Sequence, residues 1–197
     1  MSTKQLFIGI GGGSGAGKTT IARKILEGLE PLNVHLIRQD RFFKPIEELP
    51  TYYSDFHQKA CPDFNRPDSV RIEALVEACT TVSGYDVVIL EGILVLYYAE
   101  LRALMDICCY VETPLTEMLI RRTVRNHSVS YGGTLEEIGY YNAESVTPQH
   151  HRYNWPTKRF ADVVIANGTG DEALRDKAIA TLVSMVWNQV EGRETQE

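Results

Sequence analysis

The chain has 197 residues, 44% hydrophobic and 23% charged, which suffices for one ordinary core and excludes a protein that is itself a disordered tail. With 20 Lys and Arg against 26 Asp and Glu, the net charge of -6 argues against wrapping a nucleic-acid backbone on a broad basic face, while leaving room for a local basic pocket around a small polar ligand. Met1-Ser2-Thr3-Lys4 leads into a short apolar stretch broken by glycine, and no apolar run approaches the roughly 18 residues of a membrane span. Neither a signal peptide nor a membrane partner is expected, and the location follows as cytoplasmic.

Strand-length apolar runs recur along the chain with helical patterns between them. Leu6 to Ile10 comes first, and Ile21, Ile25, Leu26 and Leu29 then share one helical face that Pro31 ends. Val34 to Ile37 is the second strand. Asp68 or Ser69 is the expected N-cap of a helix whose apolar face is Ile72, Leu75, Val76 and Cys79, ahead of a third strand at Val87 to Leu90. Ile107 to Val111 is the fourth strand; Thr113 and Pro114 then read as cap and first position of another helix. Val163 to Ala166 is the fifth, and the acidic tail after Val190 (Glu191, Glu194, Glu197) reads as frayed. Continuous apolar strands imply burial on both faces. The expectation is an α/β fold of three layers around a mostly parallel five-stranded sheet, as one domain over residues 1–197. The four cysteines lack CxxC spacing; Cys108 and Cys109 lie in an apolar run and read as reduced core residues beside Cys61 and Cys79.

Directly after the first strand stands Gly12-Gly13-Ser14-Gly15-Ala16-Gly17-Lys18-Thr19, which fits G-x-x-x-x-G-K-[ST] between a strand and a helix. Glycines let backbone N–H groups converge on phosphate oxygens, and the helix start adds its positive end. Lys18 would reach the β and γ phosphates of ATP and Thr19 would ligate Mg²⁺, with Thr20 completing the nucleotide set. This is the P-loop NTPase signature. Ligands of open parallel sheets sit beyond the carboxyl ends of the strands, where Asp40 and Glu91 stand. Each is a candidate to hold Mg²⁺ beside Thr19, or to accept a proton from an attacking hydroxyl.

Two stretches break the rhythm. Residues 41–68, rich in Phe, Tyr and Pro, read as a loop that binds an acceptor, with Phe43 and Phe64 among its flat faces. Residues 121–135 read as an arginine-bearing lid, with Arg121 and Arg125 on one face and Arg122 and Arg125 also close, ready to close guanidinium groups over a transferring phosphoryl. His57, His127, His150 and His151 lack metal-ligand spacing, so no zinc site is expected.

These pieces together resemble the uridine kinase, nicotinamide riboside kinase and phosphoribulokinase group of P-loop kinases, from about Phe7 to Ala166. Gln39 to Pro45 is similar to the nicotinamide riboside kinase loop after strand two. Glu91-Gly92-Ile93-Leu94, Leu104-Met105-Asp106, the arginines Arg121, Arg122 and Arg125, and Pro156 to Asp162 are similar to uridine kinases. The resemblance implies Asp40 as base, Glu91 as a magnesium-shell carboxylate, the three arginines as the lid, and Asn167, Gly168 and Thr169 near the adenine. It further implies an acceptor site at Phe64-Asn65, where the family has a Tyr-Asp pair that grips a ribose diol; Arg66 follows, and Asp63 is the substitute carboxylate. The pyrimidine-clamping β-hairpin that uridine kinases carry ahead of the Glu91 strand finds no room in Thr80 to Tyr85. The implied activity is transfer of the γ-phosphoryl of ATP to a small-molecule hydroxyl, foremost the 5′-hydroxyl of a ribonucleoside such as uridine, cytidine or nicotinamide riboside. The alternatives are a pantothenate-like or sugar-phosphate acceptor, or a nucleotide-dependent switch. Family members are often homo-oligomers, which leaves assembly open.

Overall fold

A computed structural model describes residues 5–128 and 133–194. The lid expectation at residues 129–132, and Glu197 of the tail, lie outside them. The chain runs β1 (Leu6–Gly12), α1 (Lys18–Gly28), β2 (Val34–Arg38), β3 (Thr51–Ser54), β4 (Lys59–Pro62), α2 (Ile72–Thr81) and β5 (Val87–Glu91). It continues through α3 (Ala99–Arg102), β6 (Ile107–Glu112), α4 (Leu115–Ser128), α5 (Leu135–Tyr141), α6 (Thr147–Gln149), β7 (Val163–Ala166) and α7 (Glu172–Glu194). Among the described residues no helix is long and apolar enough to cross a membrane.

The expected sheet is present, with order β2-β5-β1-β6-β7 and every neighbouring pair parallel. Successive side chains of a strand point to opposite faces, so each inner strand splits its residues between two cores. Leu6, Ile8 and Ile10 of β1, Val87 and Ile89 of β5, and Ile107, Cys109 and Val111 of β6 face one layer, where they meet Ile21 and Ile25 of α1 and Leu182 and Val186 of α7. Phe7, Val88, Leu90, Cys108 and Tyr110 face the other, against Leu75 and Cys79 of α2 and Leu101 of α3. This is why the runs read as continuously apolar. Both adjacent thiols are core groups, and burial pushes Cys108 up to about 11 and Cys109 up to about 12.

Four local expectations are corrected. Asp68 and Ser69 do not cap α2; they lie in a separate 3-10 turn, Pro67–Ser69, because the Ser69 hydroxyl is taken by the carbonyls of Phe64 and Arg66. Thr113 does not cap α4 either, since its hydroxyl donates to the carbonyls of Ala16 and Asn167. The tail from Val190 to Glu194 is not frayed but continues α7. Residues 41–68 are not a plain loop. They contain an antiparallel hairpin pairing Tyr52 with Cys61 and Ser54 with Lys59, while only a turn joins α2 to β5. Four-residue strands with mixed exposure carry little alternation, and this hairpin depends on distant contacts.

Between α5 and β7 the chain forms two π-helical turns, Asn142–Val146 and His150–Asn154, on either side of α6, then a 3-10 stretch, Trp155–Phe160. Thr134 and Glu137 form a reciprocal capping box, the S/T-x-x-E pattern.

Ile8 is fully buried at the centre of the sheet. Ile8→Ala is expected to lower unfolding free energy by about 2–5 kcal/mol in urea titration, with the denaturant slope unchanged.

Candidate active site

A cleft of about 740 Å³ opens at the carboxyl ends of the parallel strands. Its floor comes from the turn after β1. Gly17 there has φ 93°, and a Cβ on it would collide with the Asn167 amide, so only glycine allows the loop to enter α1 at this point. Lys18 opens α1, is 9% exposed, and donates from Nζ to the Gly13 carbonyl at 2.9 Å. Burial pushes its ammonium below the ordinary lysine value, while the Glu91 and Asp40 carboxylates hold it up. Thr19 donates its hydroxyl to Glu91 at 2.9 Å, and Glu91, 7% exposed at the end of β5, also faces Arg38 Nε at 3.9 Å. Asp40, in the 3-10 turn Gln39–Phe42 after β2, is exposed on the cleft wall.

The arginines divide. Arg122 and Arg125 line the cleft. The Arg122 guanidinium is buried over the Tyr141 ring, 5.1 Å from its centroid, and donates to the Asn142 side chain at 2.6 Å. Arg125 reaches toward the Ser14 hydroxyl at 3.5 Å. Arg121 points elsewhere, held by Glu117 at 2.8 Å and by the Asn167 carbonyl at 2.9 Å.

The nucleotide set also divides. Ser14, Lys18 and Thr19 line the cleft, whereas Thr20 is exposed on α1 outside it. Asn167 braces the loop itself, its amide donating to the Ala16 carbonyl at 2.7 Å. Gly168 N–H donates to Asp171, and Thr169 donates its N–H and hydroxyl to Glu117. That carboxylate is held below the ordinary glutamate range, first by the Thr169 N–H.

At the far end the walls are aromatic: Phe43, Tyr52, Phe64, Tyr140 and Tyr141. Phe43 and Phe64 meet edge to face at 5.4 Å. Asn65 lines this end, its amide donating to Tyr141 at 3.0 Å and Ser145 at 2.9 Å. Asp63, expected as an acceptor contact, is fully buried and does not line the cleft. Its carboxylate is occupied by the Asn65 N–H at 2.8 Å, the Ser145 hydroxyl at 2.8 Å and the Gln149 amide at 2.9 Å. Arg66 also turns away, its guanidinium engaged by Asp68 at 2.8 Å.

Sequence reading missed the residues that hold the hairpin. Glu144 accepts from the Ser54 hydroxyl at 2.6 Å and the Phe56 N–H at 3.1 Å, and Phe56 stacks on Tyr140 at 4.3 Å. No local pattern marks Glu144 as the latch. The Ser54 hydroxyl, then the backbone donors, hold Glu144 below the ordinary glutamate value. A carboxyl depressed on folding contributes stability above its unfolded pKa and loses it as pH falls through the lower folded value. The latch is therefore intact at neutral pH and opens only in acid. Glu144→Gln is expected to speed amide exchange at Phe56 and His57 by roughly tenfold or more at pH 7, with β1 and β5 unaffected. Unchanged exchange at those amides would contradict the latch.

A model of the Phosphoribulokinase / Uridine kinase family matches residues 49–172. A uridine kinase of Anoxybacillus flavithermus is 30% identical over 94% of this chain and 97% of that protein, and one of a Geobacillus species is 33% identical over 85% and 89%. Among solved structures, phosphoribulokinase from Rhodobacter spheroides superposes with a TM-score of 0.60 at 12% identity, covering 84% of this chain and 71% of that one, so the two share a fold. The chain accordingly belongs to the phosphoribulokinase/uridine kinase family and is a phosphotransferase acting on a hydroxyl acceptor.

Proposed function

We propose that this protein transfers the γ-phosphoryl of ATP, with Mg²⁺, to the 5′-hydroxyl of a ribonucleoside. The observation that carries the reading is one continuous cleft, which has Lys18, Thr19 and Glu91 at one end and a box walled by aromatic rings at the other. A switch protein needs only the first end; a kinase needs both within reach of one transferring group.

The donor set fits a magnesium nucleotide. The Thr19 hydroxyl and Glu91 carboxylate are adjacent hard oxygen donors, with Asp40 on the same wall, and magnesium takes one or two carboxylates together with phosphate oxygens. When bound, the metal neutralises charge on the phosphoryl in transit. Around it, Lys18 sets its ammonium against the terminal phosphates and the loop amides aim at their oxygens. Asp40, exposed and facing the cleft, orients the acceptor hydroxyl and accepts its proton. Arg122 and Arg125 supply cationic donors from α4 over the reacting end, as a lid.

Asn65 offers an amide oxygen where the family presents a carboxylate, so a ribose diol meets a weaker acceptor in the aromatic box. The flat walls of Phe43, Phe64 and Tyr52 suit a nucleobase or pyridine ring. Chain residues 1–197 act in this reading as one kinase domain.

Lys18→Ala and Asp40→Ala are each expected to lower kcat by about a hundredfold or more, with thermal unfolding close to that of the parent. Near-normal turnover in either variant would remove its assigned role. A panel of uridine, cytidine, nicotinamide riboside, pantothenate and ribulose 5-phosphate, each scored for acceptor-dependent ADP formation, tests the substrate. Turnover confined to the last two would overturn the nucleoside assignment.

A further inference from the structure

His150 takes no part in the scheme above, yet it sits against the phosphate-binding loop. The imidazole is 9% exposed, and its Nδ1, shielded from solvent, meets no hydrogen-bond partner among the described residues. A Cβ on Gly13 would lie 3.0 Å from that nitrogen and 2.6 Å from Met118 Sδ, so the loop rests directly on these two side chains. Burial, then the neighbouring His151, pushes the imidazole down to about 4; it is neutral at pH 7, and its two nitrogens must serve as one donor and one acceptor.

Beside it lies a cavity of about 20 Å³, lined by Gly13, Ser14, Asn65, Gln149, His150 and Asn154 together with apolar side chains. That volume has room for one water, and the lining supplies several polar partners for it. The surrounding groups are fixed. Asn154 accepts from the Tyr110 hydroxyl at 2.9 Å and donates to the Ile93 carbonyl, and Gln149 is held by Asp63. The π-helical turn His150–Asn154 begins at this imidazole, and such turns often mark functional sites.

We infer that His150 is a positioning residue for the phosphate-binding loop, its Nδ1 bonded to one water in this cavity that in turn braces the Gly13–Ser14 turn. The water satisfies the orphaned nitrogen and fixes the backbone whose amides face the phosphates. Since Gln149, the last residue of α6, holds Asp63 and through it Asn65, two consecutive residues of the arm support the nucleotide end and the acceptor end of the cleft. The inference rests on the proposed nucleotide site and adds a residue to it.

The test compares His150→Phe, which keeps a flat ring and loses Nδ1, with His150→Asn, whose amide can occupy the Nδ1 position. Calorimetry with MgADP, steady-state kinetics and thermal unfolding are measured for each. The Phe variant is expected to weaken MgADP binding and raise the KM for ATP by about tenfold, with the acceptor KM within roughly twofold and unfolding near the parent's. The Asn variant is expected to recover most of the affinity. Unchanged MgADP affinity in the Phe variant, equal impairment in both, or losses for both substrates that track reduced stability would each overturn the role. Should the Phe variant fail to fold, the imidazole ¹⁵N resonances of His150 in the parent decide: movement of the Nδ1 signal on adding MgADP is expected, and an unmoved signal refutes it. A parent protein that binds no MgADP would overturn the nucleotide site itself, a result distinct from an unaffected Phe variant.

Discussion

The pairing of β1 with β5 governs the rest of the site. Its parallel register sets Ile10 opposite Glu91, so the carboxylate closing β5 stands two residues from where β1 gives way to the glycine turn at Gly12. α1 then begins at Lys18, and Thr19 meets that same carboxylate at 2.9 Å. Because β1 and β5 are buried on both faces, a slip of one residue would exchange the contents of both cores as well as move Glu91. Packing of the interior and placement of the phosphate-binding end are therefore one constraint.

The acceptor end is built differently. Its walls come from a hairpin too short to stand alone and from an arm that leaves regular helix twice. Two carboxylates join them. Glu144 ties the hairpin to the arm from the outside, and Asp63, buried with no cation paired to it among the described residues, is satisfied by backbone, hydroxyl and amide donors. A buried carboxylate is tolerated only when so many donors converge on it, which is why Asp63 is committed to structure and Asn65 is left to face the cleft.

The five sheet strands were legible because double burial leaves uninterrupted apolar runs, and the glycine turn because its residue types and spacing are dictated by backbone approach to phosphate. Asp40 and Glu91 followed from their positions at strand ends. The hairpin was hidden, since Thr51–Ser54 and Lys59–Pro62 mix exposed and buried positions without alternation. The arginine cluster was legible only as a cluster. On a helix, residues three and four apart share a face, yet Glu117 and the Asn167 carbonyl draw Arg121 away from Arg122 and Arg125.

Sequence alone determined the layered α/β architecture, the phosphate-binding turn and the two strand-end carboxylates, because each is written in local periodicity or fixed spacing. Only the tertiary structure decided which of Asp63 and Asn65 faces the cleft, which arginines look inward, and that Glu144 joins the hairpin to the arm. Several of those outcomes turn on partners distant in the chain, such as Asn142 for Arg122, Gln149 for Asp63 and Ser54 for Glu144, and no local pattern encodes such a partner.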